Sequence, residues 1–148
     1  MRAVLDCNVY ASALINPDGP SGLILDSLIA GGFECVLTPA IIEETRRTLS
    51  YPKVRSRVAR TDEEIVSLLA ALSVLSLWVE DVQGGDVIVA QDPDDDVYVR
   101  AAFEAAADMI VSGDAHLLGM REYRGIPIVP PKAFADLLVT PGLGPAPL

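Results

Sequence analysis

Short apolar runs alternate with segments of helical period along most of the chain. "RAVLD" reads as a buried strand ending at Asp6. In "PSGLILDSLIAGG", Leu23, Ile24, Ser27 and Leu28 keep helical register up to a glycine stop. "FECVL" is a second strand. Thr38 followed by Pro39 is a cap with proline at the first helical position, and predicts a helix through about Ser50, ended by Pro52. "TDEEIVSLLAALSVL" opens on a capping box, Thr61 with Glu64, and carries the stripe Ile65, Leu68, Leu69 and Leu72. "SLWV" is a strand candidate, and "DVIVA" a weaker one. A helix from about Asp95 to Ala107 places Val99, Ala102, Phe103 and Ala106 on one face. "DMIVS" is a further strand, and "IPIVPPKAFADLL" reads as strand then helix.

Strand and helix thus alternate from end to end, which predicts an α/β fold with a parallel sheet and helices on both faces. The 148 residues suit one domain, expected over residues 1–138. The last ten, "VTPGLGPAPL" (residues 139–148), are rich in Pro and Gly and are expected to be disordered. Hydrophobic residues at 51% and charged residues at 22% fit a globular core and argue against a disordered chain. The uncharged run from Ile65 to Val79 is too short to span a bilayer. Cys7 and Cys35 sit in apolar runs, and strand-like sequence begins at Arg2 with no signal peptide before it. The expectation is a cytoplasmic protein with reduced thiols and no membrane partner.

The net charge of −10 disfavours indiscriminate binding to nucleic acid, but the charges are not evenly spread. Arg46, Arg47, Lys53, Arg55, Arg57 and Arg60 share one window. Asp92, Asp94, Asp95 and Asp96 are crowded together, and Asp114 follows the "DMIVS" strand. In an open parallel sheet, ligands bind at the carboxyl ends of strands near the switch in strand order. Asp6, the Asp94–Asp96 run, Asp114, and Glu43 and Glu44 at the start of the helix after the second strand all fall on that rim. Taken singly, an Asp at a helix start is a cap worth about 0.5–2 kcal/mol, and a Glu in a first turn is a solvated, dipole-favoured residue. Asp6 resists that reading, because a charge at the end of a buried strand is costly unless paired or bound to a cation. Several carboxylates on one rim suit hard divalent ions such as Mg²⁺ and Mn²⁺, one or two of which can stabilise the attacking water and leaving oxygen of a phosphoryl displacement.

Other chemistries lack their residues. His116 is the only histidine, which excludes a two-histidine ribonuclease, and with two distant cysteines it makes no His/Cys zinc cluster. There is no G-x-G-x-x-G, no P-loop and no nucleophile elbow.

Three stretches, "VLDCNVYASALI", "LTPAIIEETRRTLSYPKV" and "DPDDDVYVRAAFEAAADMIVSGDAHLL", resemble the PIN domain, and most closely the single-domain toxin ribonucleases of the VapC type. The likeness runs from Met1 to about Leu138. It implies a three-layer α/β/α sandwich with a central parallel sheet, and a metal-dependent ribonuclease leaving a 5′-phosphate. Asp6 matches the first family acid. Counting back from Pro52-Lys53, Glu44 matches the second and Glu43 does not; Glu44 also lies nearer the face made by Ile41, Ile42, Thr45 and Leu49. Asp96, with Val99 and Ala101 after it, matches the third, and Asp114 the fourth. Asn8 matches a position that orients an acid or a water. Two positions depart from the family: Cys7 stands where Thr or Ser is common, and His116 where an acid is common.

The resemblance thus implies an endoribonuclease in which Asp6, Glu44, Asp96 and Asp114 are both catalytic and metal-binding, Asn8 supports them, and the cofactor is Mg²⁺ or Mn²⁺. Arg46 and Arg47 are expected to meet RNA. As the toxin half of a toxin–antitoxin pair, the chain would have an antitoxin protein and a second copy of itself, in a dimer, as partners. The alternative is a catalytically silent PIN-like module that acts by binding protein. A phosphoryl-accepting domain with Asp6 as acceptor ranks below both, since no second acid adjoins Asp6 and Lys132 follows two prolines.

Overall fold

The computed structural model describes residues 1–139. Strand β1 (Arg2–Leu5) leads directly into helix α1 (Cys7–Ile15), then α2 (Pro20–Ile29). Strand β2 (Glu34–Leu37), helix α3 (Pro39–Ser50) and the single turn α4 (Pro52–Arg55) follow, then α5 (Asp62–Leu75) and β3 (Leu77–Trp78). An irregular segment and a 3₁₀ turn (Pro93–Asp95) open into α6 (Asp96–Glu104) and β4 (Met109–Val111). The described residues end with α7 (Ala115–Met120), β5 (Glu122–Tyr123), β6 (Ile126–Val129) and α8 (Pro131–Val139).

The strands form one sheet in the order β3-β2-β1-β4-β6-β5. All pairs are parallel except β5 with β6, a short antiparallel edge. The expected central parallel sheet flanked by helices is what the chain forms. From β1 the chain builds outward through β2 and β3, then returns to the other side of β1 as β4. The switch in strand order therefore lies between β1 and β4, where open α/β sheets leave a crevice. Leu5 pairs with Val111, so Asp6 and Ser112 leave the sheet side by side.

The capping chemistry explains where the helices start. Thr38 accepts a hydrogen bond from the Ile41 amide (3.1 Å), and Pro39 opens α3 with no amide to satisfy. Thr61 and Glu64 make the reciprocal capping box at α5. The core is built on Val4, Leu5, Ile24, Leu37, Ile41, Leu72, Ile110 and Phe134, all essentially inaccessible. Each such aliphatic side chain contributes about 1.5–3 kcal/mol by leaving water. Phe33, just before β2, meets Phe134 of α8 edge to face at 5.0 Å.

Several elements differ from the sequence pattern. Helix α1 has no apolar stripe because it is buried nearly all round, through Cys7, Val9, Tyr10, Ala11, Ala13 and Leu14. "DVIVA" is not a strand: the Ile88 and Val89 amides donate to the Asp96 carboxylate instead of to a neighbouring strand. Helix α6 stops at Glu104, and Ala106 takes a left-handed φ of 50°. Phe103 is exposed, edge-on to Tyr123 and under the Arg124 guanidinium, rather than on the buried face. Val139, placed by the sequence in the tail, closes α8; the rest of that tail, residues 140–148, lies outside the described residues. No helix among the described residues is long and apolar enough to cross a membrane. Cys7 and Cys35 are both free and buried.

Candidate metal and catalytic site

Asp6 sits at the carboxyl end of β1, where its amide donates to Val111 O (3.0 Å) and ties it to β4. The residue is 2% exposed. One carboxylate oxygen accepts from the Asn8 amide at 3.2 Å and caps α1; the other accepts the Ser112 hydroxyl at 2.7 Å. Burial of this charge is thus compensated by two donors, at the start of a helix whose dipole favours an anion. Asn8 touches Asp6 through its backbone, while the residue itself is exposed.

Ser112 is fully buried just beyond β4, and it does two jobs. Its hydroxyl donates to Asp6 and accepts the Asp114 amide at 2.9 Å. One oxygen therefore sets the spacing between the first and last acids. Asp114 in turn caps α7, accepting from the amides of His116 (2.7 Å) and Leu117 (3.3 Å). The sequence marks Ser112 only faintly, as a small hydroxyl residue directly after an apolar strand and two before an acid.

The run of aspartates divides sharply. Asp95, at the end of the 3₁₀ turn, is 9% exposed, and its Oδ2 is buried with no hydrogen-bond partner among the described residues. Burial pushes its carboxyl up to about 7, with further contributions from the charges of Asp114, Asp92, Asp6 and Asp94. Asp95 is therefore within electrostatic reach of both strand-end acids. Asp96 is as buried, but its carboxylate is taken by the Ile88 (3.0 Å) and Val89 (2.7 Å) amides, with Arg100 at 3.8 Å. The sequence names Asp96 as the third acid; these amides engage its carboxylate, while Asp95 beside it carries the unpartnered oxygen. Successive helical residues point about 100° apart, so only one of the two can face the rim. The spacing to Val99 and Ala101 fits a helix but does not reveal the 3₁₀ entry, nor the loop amides waiting for Asp96. Tyr98, buried on α6, accepts the Cys7 amide through its hydroxyl at 3.3 Å and fastens this helix to the residue after Asp6.

Glu44 is half-buried on α3, one turn before Thr48, whose hydroxyl reaches the Cys7 sulfur at 3.5 Å. That turn places Glu44 on the side of α3 facing α1. Its partner is Arg47 at 3.1 Å. Glu43 is exposed and paired with Arg46, which holds its carboxyl below the usual range. Arg46 and Arg47 are both exposed, each engaged by a glutamate of its own helix. Asp92, Asp114 and His116 each offer a ligand atom, and these three lie within 4.8 Å of one another.

Comparison with known proteins identifies the family to which this fold belongs. Residues 2–116 match the family model described as PIN domain. Over 122 residues, 82% of this chain and 76% of the relative, the sequence is 31% identical to the uncharacterized protein MJ1680 of Methanocaldococcus jannaschii. The crystal structure of PAE2754 from Pyrobaculum aerophilum is similar in fold, with a TM-score of 0.58 at 19% identity over 93% of this chain and 89% of that one. The chain belongs to the PIN domain family, a superfamily of metal-using nucleases that act on RNA or DNA.

Proposed function

We propose that this protein is a metal-dependent endoribonuclease using Mg²⁺ or Mn²⁺, and the toxin component of a toxin–antitoxin pair. The observation that carries the reading is the Asp95 carboxylate. An oxygen buried without a partner, among the charges of Asp114, Asp92 and Asp6, is costly to fold unless a cation is its partner. The donors are all carboxylate oxygens, the set that hard divalent ions take. Asp6, Asp95 and Asp114 would hold the ion, and Glu44 would join them by leaving Arg47. Such an ion neutralises the phosphate and lowers the pKa of a water.

The chain's own residues supply the rest. Ser112 holds Asp6 and Asp114 at a fixed spacing, and Tyr98 fixes α6 against the Asp6 turn. Asp96 anchors the 88–89 backbone and so keeps the start of α6 in place. Arg46 and Arg47, on the same helix as Glu44, would meet the RNA backbone once released from their glutamates. An antitoxin protein, a homodimer and a cytoplasmic location accompany this reading, on the strength of the VapC-like resemblance. The four-acid set favours activity over a silent binding module. The test is cleavage of structured RNAs with Mn²⁺, Mg²⁺ or EDTA, with Asp6→Asn as control. Cleavage that needs the ion and is lost in the variant supports the reading. No cleavage by the wild type under any of these conditions refutes it.

A further inference from the structure

Helix α2 starts without a cap, and a cavity lies in front of it. Gly19 holds the cap position with no side chain to accept, and Pro20 has no N–H. The first bond back into the helix runs from the Leu23 amide to Gly19 O at 3.1 Å, so the Ser21 and Gly22 amides have no partner within it. Such ends attract anions through their free amides and the helix dipole, but water satisfies most of them. Ser21 is the second observation. It is 6% exposed, and its hydroxyl has no hydrogen-bond partner among the described residues. The unpartnered side-chain oxygens sealed from solvent, among the described residues, are those of Ser76 and Asp95. The Ser21 hydroxyl therefore opens outward, and a cavity of about 260 Å³ that Ser21 lines is what it opens into. Ser12 and Asn16 add a hydroxyl and an amide from one wall. From another comes Arg57, whose guanidinium has no ion pair among the described residues. On a chain with 21 acids and a net charge of −10, no acid lines this cavity. We propose that it is a phosphate subsite, in which the α2 amides, the Ser21 hydroxyl and Arg57 hold a backbone phosphate of the RNA away from the cleaved one.

The donor set and the placement both support this ligand. Amide N–H, hydroxyl and guanidinium groups are the donors that phosphate oxygens accept from, and none of them carries sequence information. Ser12 follows Asp6 by six residues, and thus stands about 9 Å from it along the axis of α1. A strand whose scissile phosphate meets the acids can therefore lay a further phosphate here. Arg57 also belongs to the basic window that holds Arg46 and Arg47. Inorganic phosphate offers the same oxygens as the strand, so the two sources are separated by experiment. This proposal rests on the ribonuclease reading above.

The test is binding in EDTA, where the ion needed for cleavage is withheld. The full chain, labelled with nitrogen-15, is titrated with inorganic phosphate and separately with a short single-stranded RNA. Both should move the Ser21 and Gly22 amide resonances, and chloride at matched ionic strength should not. Arg57→Gln should weaken RNA binding by about three- to tenfold and lower its salt slope by about one, and Ser21→Ala should weaken it by about threefold. Arg60→Gln removes the same charge from an exposed position outside the cavity, and should have the smaller effect. Amides that move with phosphate but not with RNA overturn the RNA assignment and leave a free anion as the ligand. Amides indifferent to both, or an Arg57→Gln protein that binds RNA as Arg60→Gln does, overturn the subsite. If that happens while RNA is still cleaved with Mg²⁺, only the subsite fails. If the amides and the variants respond as expected but no ion supports cleavage, the phosphate site stands and the nuclease falls.

Discussion

Replacing Asp95 by Asn should stabilise the metal-free protein, which is unusual for a substitution at a buried polar position. The Asp95 carboxyl moves from 3.8 to about 7 on folding. The folded state therefore binds this proton more tightly than the unfolded chain. The penalty is absent below 3.8, grows through the window between 3.8 and about 7, and is complete above it. At about 1.4 kcal/mol per decade, a displacement of this size is about 4 kcal/mol. Water and salt at the open rim screen the neighbouring charges, so about 2 kcal/mol is the working figure. For a domain of this size that is about 4–8 °C in melting temperature. In EDTA, the wild type should lose stability from about pH 4 to pH 7, whereas Asp95→Asn should lack this component of the slope and melt higher above neutrality. Mn²⁺ at a hundredfold excess over its Kd should add about 2.7 kcal/mol to the wild type and much less to the variant. Asp96→Asn provides the contrast. It puts an amide group against two backbone donors, and should cost about 1–3 kcal/mol. Thermal melts of the three proteins across pH, with EDTA and with Mn²⁺, decide it. An Asp95→Asn protein no more stable than the wild type above pH 7, with the same slope, would refute the reasoning.

Four further outcomes follow from the site. Glu44→Gln should abolish RNA cleavage while Glu43→Gln spares most of it; equal loss in a gel assay would contradict the assignment. Neutralising Arg46 and Arg47 to Gln should weaken RNA binding and flatten its salt dependence by about one per lost phosphate contact, measured by titration at several ionic strengths, while leaving metal affinity nearly unchanged. Ser112→Ala removes the hydroxyl between Asp6 and Asp114 and should cut metal affinity by about 10–100-fold, read by calorimetry; an unchanged affinity would make Ser112 a packing residue only. Burial pushes both the Cys7 and Cys35 thiols up to about 11, so neither should react with iodoacetamide near neutral pH until urea exposes it, as mass spectrometry would record.

The sheet was legible where caps and turn residues spoke clearly. Thr38-Pro39 and the Thr61–Glu64 box mark helix starts that the structure reproduces. Asp6 and Asp114 follow from strand ends alone, because a parallel sheet sends all such ends to one rim. What escaped was whatever depends on a partner outside the element's own periodic pattern. Helix α1 has no amphipathic stripe because other elements cover it on nearly every side. "DVIVA" has the composition of a strand, but its amides are bound to Asp96. Which of Asp95 and Asp96 carries the unpartnered oxygen is likewise hidden from the pattern, because helical spacing fixes relative phase, while the 3₁₀ turn fixes which residue starts it. Glu44 over Glu43 rested on register and phase, and its deeper burial is in keeping with that choice.

The Ser112 bridge has a consequence for the chain as it is made. Asp6 is made well before its hydroxyl partner, which lies 106 positions later. Until β4 has docked against β1, the first acid has neither its donor nor its neighbours Asp95 and Asp114. An incomplete nascent chain, or any product truncated before Asp114, therefore lacks the assembled acid set however well its early helices form. The acid set is therefore assembled only once the chain from Asp6 through Asp114 has been made and β4 has joined β1.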